Sequence, residues 1–229
     1  MPPETLRFAM NCVRAGILSS TALSLLSCNP TQANAQDTRR PPNIVVISVD
    51  GMRLDRAGFA GGPHACTPNL DAFVADGVWF ENGFSQSNES LLSHAALFTG
   101  RYPLEVSVPN YLRYVMGPEQ LAFSEILQQV GYETGAFLAE GHVGHDYGFN
   151  QGFDLFYEGE RWGSFQQTVP VALSWLERRQ QQGDDKPFML FLHGYDLHRP
   201  YMEGGPFHHA FEPDYEGPLH AILDRKSVV

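Results

Sequence analysis

Short apolar runs alternate along this chain with longer stretches in which apolar residues recur at helical spacing. Residues 44–49 and 188–192 are short and largely apolar, with Val, Ile, Leu and Phe prominent. Runs of this kind predict strands that are buried, as in a parallel sheet, and residues 44–49 are expected to be buried on both faces. Residues 133–138 form another short strand candidate, and residues 78–80 a still shorter one.

Four stretches predict helices by their apolar spacing or by signals at their ends: residues 69–75, 90–98, 120–130 and 165–179. Pro68 suits the first turn of the first helix. Ser90 is the predicted N-cap of the second helix, and Gly100 is its predicted stop. Pro170 can shift the start of the last helix, because proline lacks a backbone N–H.

Strands that alternate with helices predict an α/β fold, with a mainly parallel sheet flanked by helices, beginning at Asn43. Folds of this class place their ligands beyond the carboxyl ends of the strands. Asp50 follows the first predicted strand, and His193, Asp196 and His198 follow the last one. We therefore expect a functional site at this edge of the sheet.

The first residues have the pattern of an export signal. Arg7 and Arg14 precede an uncharged, mostly apolar stretch at residues 15–27. This stretch is too short to span a bilayer, which takes about 20 residues. A basic region followed by a short apolar region is typical of a secretory signal peptide.

Two processing sites are possible for this signal. The sequence LLSC at 25–28 favours lipidation of Cys28, and ANA at 33–35 is the alternative site for simple secretion. We expect residues 1–28 to be the signal and residues 29–42 a flexible tether. The protein is then expected on the periplasmic side of a bacterial cell envelope, with membrane contact only through the lipid anchor.

The charge balance narrows the class of partner. The chain has 229 residues and a formal net charge of -11, which argues against nucleic acid or an anionic membrane as the main partner. If an acidic chain of this kind binds an anion, its site needs local positive charge, and a bound metal ion is the obvious source. Cys66, the single cysteine after the leader, is expected to be a packed or free thiol.

Asp50 and Ser90 are the leading chemical candidates. A carboxylate at the end of a buried strand is a natural ligand for Ca²⁺, the favoured ion, or for Mg²⁺ or Mn²⁺. A hydroxyl at a helix N-terminus lies where an anion binds, and a metal would activate Ser90 as a nucleophile. His94 lies one turn later and can face the same site. The alternatives are a turn Asp, a capping Ser and a structural His.

His198 is placed as a general acid, or as an anion-binding residue, near a leaving group. Asp196 is either a ligand or the residue that orients His198. Arg53 can pair with carboxylates or with the anion, although a surface salt bridge explains it equally well. His142 and His193 are weaker candidates, for which a structural role is favoured.

Six segments together resemble the sulfatase family of the alkaline-phosphatase-like superfamily: PNIVVISVD at 42–50, TPNLD at 67–71, SLLSHAALFTGRYP at 90–103, GYET at 131–134, GFD at 152–154 and FLHGYDLHRPY at 191–201. The resemblance implies an alkaline-phosphatase-like fold and metal-dependent hydrolysis of a small-molecule or glycan sulfate ester. Family members continue further and supply more metal ligands, so residues 43–223 are expected to be the N-terminal part of such a domain. Residues 224–229 match the translation of a common sequencing adapter and are expected to be an artefactual tail.

The sequence departs from the family pattern at four positions. Many sulfatases oxidise a Cys or Ser to form their nucleophile, in a segment that carries a Pro and an Arg. Here Leu92 and His94 stand at those two positions, and this version is similar to a subgroup that uses an unmodified hydroxyl. Gly51 replaces a second Asp, and Ala139 lies near the position of a missing Lys. Phosphate or phosphonate ester hydrolysis is therefore the alternative activity. An inactive envelope lipoprotein that binds anions or glycans is the alternative outside enzymology.

Overall fold

The computed structural model describes residues 40–62, 67–106 and 116–198. The predicted signal with Cys28, most of the tether, Cys66 and residues 199–229 lie outside these ranges. Among the described residues, no helix has the length and apolar character needed to cross a bilayer.

Four parallel strands form the described sheet: β1 (Ile44–Val49), β2 (Glu133–Glu140), β3 (Leu155–Arg161) and β4 (Phe188–Gly194). Their spatial order is β1-β4-β2-β3, and every neighbouring pair is parallel. Ser48 lies beside His193, which lies beside Leu138. The carboxyl ends of the strands therefore meet at one edge, and the predicted mainly parallel sheet is confirmed.

Within the described ranges, five α-helices accompany the sheet: α1 (Pro68–Ala75), α2 (Ser90–Thr99), α3 (Pro103–Val106), α4 (Phe123–Gln129) and α5 (Phe165–Gln181). Short 3-10 turns lie at Leu54–Arg56, Gly58–Ala60 and His145–Tyr147. Gly100 ends α2 in the left-handed conformation, with φ +66°, as predicted from a residue that adopts it without steric cost.

Two apolar layers cover the sheet, one on each face. Successive strand residues point to opposite faces, so Leu138 packs with Phe98 of α2 while Phe137 packs with Trp175 of α5. On β1 the same alternation leaves Ile47 60% exposed. The prediction that β1 is buried on both faces was therefore wrong, because among the described residues the flanking layers cover one face of this strand only.

Three further sequence predictions were wrong in detail. Residues 78–80 form no strand; Val78 and Phe80 are 82% and 77% exposed, because the run is short and has no strand beside it among the described residues. The N-cap of α2 is Glu89, with extended backbone, and Ser90 is the first helical residue. The helix predicted at 120–130 begins only at Phe123, where the Glu125 carboxylate accepts the Ala122 N–H at 2.8 Å.

The start of α5 is set by a side chain distant in sequence. Pro170 lies inside the helix without moving its start, which is Phe165. The Asp196 carboxylate accepts the Phe165 N–H at 2.9 Å, so it satisfies one of the N–H groups that a helix leaves without a partner. This contact fixes the helix start against the loop after β4.

Candidate active site

Asp50 and Ser90 lie in contact at the carboxyl edge of the sheet. The Ser90 hydroxyl donates a hydrogen bond to Asp50 Oδ2 at 2.6 Å. Asp50 follows β1 directly, and its N–H donates to the Gly194 carbonyl of β4 at 3.2 Å. Ser90 begins α2, where backbone N–H groups and the helix dipole favour negative charge. The two leading candidates thus form one oxygen pair beside a helix end suited to an anion.

His94 supports this pair from behind. Its Nδ1 lies 2.7 Å from the Ser90 carbonyl, which can only accept, so Nδ1 carries the proton. Its Nε2 then accepts the Ser48 hydroxyl at 2.8 Å. Burial lowers the pKa of His94, in keeping with this neutral form. His94 therefore ties the first turn of α2 to β1, and both of its ring nitrogens are used in doing so.

His193 lies next to His94, fully buried, with 4.8 Å between the two ring centroids. Its Nδ1 donates to the Ser48 carbonyl at 3.2 Å, which leaves a lone pair on Nε2. Within the described part of the chain, Nε2 has no hydrogen-bond partner. Burial, followed by the neighbouring His94, lowers the pKa of His193 to about 4.

Acid is expected to destabilise the fold through His193. Its folded pKa lies below the ordinary value of 6.5, so between pH 6.5 and about pH 4 the unfolded state binds a proton that the folded state does not. Stability should fall by about 3 kcal/mol as pH falls across this window. His193→Phe keeps a ring and cannot titrate, so urea unfolding at pH 7 and pH 4.5 should show a flatter pH dependence.

His145→Gln is the matched control for this pH dependence. A hydrogen bond to Glu158 raises the pKa of His145, so its stabilising effect is present below pH 6.5 and is lost as pH rises through the raised value. The control variant should lower the free energy of unfolding by a constant amount below pH 6.5 and lose this difference above it, so the slope of the curve on its acid side should match wild type. If His193→Phe loses as much stability between pH 7 and pH 4.5 as wild type does, the acid sensitivity does not come from His193.

The sulfatase family model matches residues 42–218 of the chain. The chain belongs to the sulfatase family. It is 30% identical to an ulvan-active sulfatase of Formosa agariphila, 28% to an N-acetylglucosamine-6-O-sulfatase of Bacteroides thetaiotaomicron and 35% to human arylsulfatase A. These alignments cover 79%, 88% and 73% of this chain, but only 40%, 40% and 43% of the relatives. The chain therefore spans about two fifths of the length of these sulfatases.

Solved structures agree on the fold. A protein in complex with its substrate D-glucosamine-2-N,6-O-disulfate matches with a TM-score of 0.61 and 24% identity, over 71% of this chain and 36% of that chain. A phosphonate monoester hydrolase of Agrobacterium radiobacter matches with a TM-score of 0.55 and 19% identity, over 73% and 43%. At these identities the likeness shows the fold alone, and the predicted alkaline-phosphatase-like α/β class is confirmed.

The close packing of the backbone explains why position 51, where many sulfatases carry a second Asp, is a glycine in this chain. Its backbone is left-handed, with φ +73°, and a Cβ there would lie 2.7 Å from the Leu197 carbonyl oxygen and 3.2 Å from the His198 Cα. The segment after β1 therefore packs directly on the segment after β4. Because this contact leaves no space for a side chain, a second carboxylate does not fit here without a shift of the backbone.

His198 and His142 meet on one aromatic residue that sequence reasoning missed. Trp162, directly after β3, stacks parallel to His198 at 5.4 Å between ring centroids and perpendicular to His142 at 5.2 Å. No motif marked Trp162, and β3 itself was not predicted. β3 has only three apolar residues followed by mostly polar ones, so it lacks the continuous apolar run that predicts a buried strand.

The two remaining candidates have local partners. Arg53 donates to both carboxylate oxygens of Asp55, at 2.9 and 2.6 Å, on the exposed surface. Asp196 receives the Phe165 N–H at the start of α5. Both side chains therefore have partners outside the Asp50–Ser90 pair.

The Asp50 and Ser90 oxygens are the type of ligand that a hard divalent cation prefers, but two residues are fewer than such a cation needs. Asp50 and Ser90 offer oxygens within 2.6 Å of each other, whereas Ca²⁺ takes six to eight oxygen ligands. Among the described residues, no three His, Cys, Asp or Glu side chains converge into a metal-binding group. The described residues therefore provide a partial set of ligands.

A cavity of about 330 Å³ lies beside this site rather than in it. Ser48, His94, Phe84 and Leu97 are among its lining residues, and neither Asp50 nor Ser90 lines it. The Asp50–Ser90 pair decides the position of the candidate site, because hydrogen-bonded reactive groups are a more specific indication of chemistry than an open hollow.

Proposed function

We propose that the protein hydrolyses sulfate esters with Ser90 as the nucleophile. The observation that carries this proposal is the 2.6 Å hydrogen bond from Ser90 Oγ to Asp50 Oδ2 at the N-terminus of α2. A hydroxyl with an adjacent acceptor, at a helix end that favours an anion, has the arrangement of an activated nucleophile. Membership of the sulfatase family supports the sulfate ester as the substrate class.

In the proposed reaction, Ser90 Oγ forms a bond to sulfur and the bond from sulfur to the alcohol oxygen breaks. The Ser90 proton passes to Asp50 Oδ2, which already accepts it in a hydrogen bond, and His198 gives a proton to the departing alcohol. Water then attacks the sulfated Ser90, returns a proton to His198 and releases sulfate, while Ser90 recovers its proton from Asp50. Each proton donor is thus regenerated.

A divalent cation fits this scheme, because sulfatases generally depend on one. Asp50 and Ser90 would hold it, and Ca²⁺ is favoured over Mg²⁺ or Mn²⁺ because oxygen ligands in flexible geometry suit it. The cation would supply the positive charge that an acidic chain lacks and stabilise the serine oxygen and the sulfate. The chain's own contribution is to place the two oxygens together and to hold α2 in register through His94.

We propose a sulfated sugar as the natural substrate and the periplasmic side of the cell envelope as the location. Relatives named for ulvan and N-acetylglucosamine-6-O-sulfate support the first point. The pattern of residues 1–28, with lipidation at Cys28, supports the second. Labelling of cells with a fatty-acid analogue, in wild type and Cys28→Ala, tests the anchor; equal labelling would contradict it.

Asp50→Asn should weaken binding of Ca²⁺ by at least about 10-fold, since even residues that only support metal ligands contribute 10- to 100-fold. The amide keeps the size of the side chain but removes its negative charge. Calorimetric titration of the purified protein with CaCl₂ measures this directly, without turnover. Asp76→Asn makes the same change on the exposed end of α1 and should bind like wild type; equal affinity in all three proteins would contradict the metal assignment.

Phosphate or phosphonate ester hydrolysis is the second candidate. Leu92 and His94 occupy the positions where the oxidised-nucleophile pattern has Pro and Arg, which favours a Ser90 that acts as an unmodified hydroxyl. A hydroxyl nucleophile suits either tetrahedral anion. Parallel assays with 4-nitrophenyl sulfate, phosphate and phenylphosphonate decide: we expect the highest kcat/KM with the sulfate, and a preference for either phosphorus ester would replace the first proposal with the second.

A further inference from the structure

Trp162 has a backbone conformation that tryptophan rarely adopts. Its φ is +58°, and it is the one non-glycine residue with positive φ in the described ranges. Bulky L side chains are disfavoured there, and such strain persists only where the surroundings impose it and often marks a functional position. The Trp162 N–H donates to the Glu140 carbonyl at 2.8 Å, and the Tyr195 N–H donates to the Gly163 carbonyl at 3.2 Å. The turn is therefore held by hydrogen bonds to the segments that end β2 and follow β4.

In this conformation the indole ring contacts residues that follow two other strands, β2 and β4. His142 follows β2, Trp162 follows β3 and His198 follows β4. The indole contacts the His198 ring in parallel, with 4° between the planes, and the His142 ring at 89°. It also packs against Tyr195, at 5.0 Å and 76°. Tyr195 is 2% exposed, so the indole has a rigid partner on its inner side.

Tyr195 fixes the other half of this arrangement. Its hydroxyl oxygen accepts the His142 N–H at 2.9 Å, which anchors the backbone of the segment after β2. The His198 backbone is placed next to Gly51, one residue beyond Asp50, by the close contact described above. The His198 ring meets the edge-on ring of Tyr195, at 5.7 Å and 81°, and lies parallel to the indole. The indole is therefore the surface that faces the plane of the His198 ring.

We propose that Trp162 is a positioning residue, whose strained turn holds the indole so that it sets the plane of the His198 imidazole at the sheet edge that carries the Asp50–Ser90 pair. The inference rests on the proposed function, in which His198 gives its proton to the leaving oxygen. Proton transfer needs the donor within hydrogen-bond reach in a defined direction. An offset stack on an aromatic face restricts a ring in this way, and a misplacement of about 1 Å can cost on the order of 100-fold in rate.

Three substitutions of Trp162 distinguish the effect of the indole ring from the effect of the strained backbone. Trp162→Gly removes the indole and relieves the positive φ, which glycine adopts freely. Trp162→Ala removes the indole and keeps a Cβ in the disfavoured conformation, so its thermal midpoint should lie below that of Trp162→Gly. Trp162→Phe keeps an aromatic face for His198. Trp79→Phe, at a half-exposed Trp that contacts Phe59, is the control for loss of an indole.

Trp162→Gly and Trp162→Ala should lower kcat for 4-nitrophenyl sulfate by about 10- to 100-fold with little change in KM. Trp162→Phe should recover most of the rate, and Trp79→Phe should match wild type. In proton NMR, the His198 ring protons should lose the ring-current shift from the indole in both Trp162→Gly and Trp162→Ala. A kcat within twofold of wild type in Trp162→Gly, or unchanged His198 ring shifts, would overturn the proposal.

The NMR measurement is independent of turnover. A wild-type protein that turns over no ester defeats the proposed function, and the His198 shifts then still decide whether Trp162 places this ring. Ser90→Ala should abolish turnover and leave these shifts intact. A loss of kcat in Trp162→Gly with no rescue by Trp162→Phe in a folded protein counts against an aromatic positioning role.

Discussion

Replacement of Ser90 by Ala should lower kcat for 4-nitrophenyl sulfate by at least about 10³-fold, to the level of the uncatalysed background. The substitution deletes the only atom proposed to bond to sulfur, and loss of a nucleophile costs most of the chemical rate enhancement. The same substitution should leave the fold intact, because Ser90 is half-buried and its backbone contacts to His94 remain. Steady-state kinetics and thermal unfolding of the same samples measure both effects.

Ser174→Ala is the matched control for this experiment. Ser174 is an exposed serine of α5 whose hydroxyl donates to the Pro170 carbonyl, and its loss should leave kcat at the wild-type value. Activity retained in Ser90→Ala would mean that another group attacks the substrate. A wild type that binds a sulfated sugar without any turnover, with binding unchanged in Ser90→Ala, would instead favour the inactive glycan-binding alternative.

Arg179→Ala should destabilise the fold by about 3 kcal/mol or more. Arg179 is 6% exposed and forms ion pairs with Glu133 and with Asp184, the latter at 2.7 Å. It also donates to the Lys186 carbonyl at 2.8 Å. Its removal leaves two partly buried carboxylates without their shared cation, and breaking a buried pair from one side typically costs 3–5 kcal/mol.

Urea unfolding measures this loss, and the neighbouring Arg178→Ala is the control. Arg178 is exposed on the same helix, so its loss should change the free energy of unfolding by no more than about 0.5 kcal/mol. The contrast tests burial and not charge, because both variants remove one positive charge from α5. An equal effect of the two substitutions would show that the ion pairs of Arg179 contribute little to stability.

Local signals were reliable where one short segment decides its own conformation. β1 was predicted at its observed bounds, because a run of six residues, five of them apolar, bounded by Asn43 and Asp50 leaves little choice of structure. Gly100 was predicted as the end of α2, because a left-handed helix stop depends on that residue alone. The strand at residues 78–80 failed for the opposite reason, since a strand needs a neighbour that its own sequence does not contain.

The candidate site was predicted as a set of residues and not as an arrangement. The rule that ligands lie beyond the strand ends selected Asp50 and His198, and the predicted helix N-terminus, together with the family resemblance, selected Ser90. The sequence gives no reason for the Nδ1 of His94 to point to the Ser90 carbonyl, nor for the indole of Trp162 to lie against His198. Both depend on packing between segments that are distant along the chain.

By itself, the sequence determined the α/β class, the bounds of β1, the glycine end of α2 and the two residues of the oxygen pair, because apolar runs, glycine stops and residue chemistry act over a few neighbours. Only the tertiary structure decided the strand order β1-β4-β2-β3, which sets which strand ends share an edge. It also decided that Gly51 must lack a side chain and that Trp162 must accept a left-handed backbone. Each is a contact between chain segments far apart in sequence, and its energy arises only when the sheet brings those segments together.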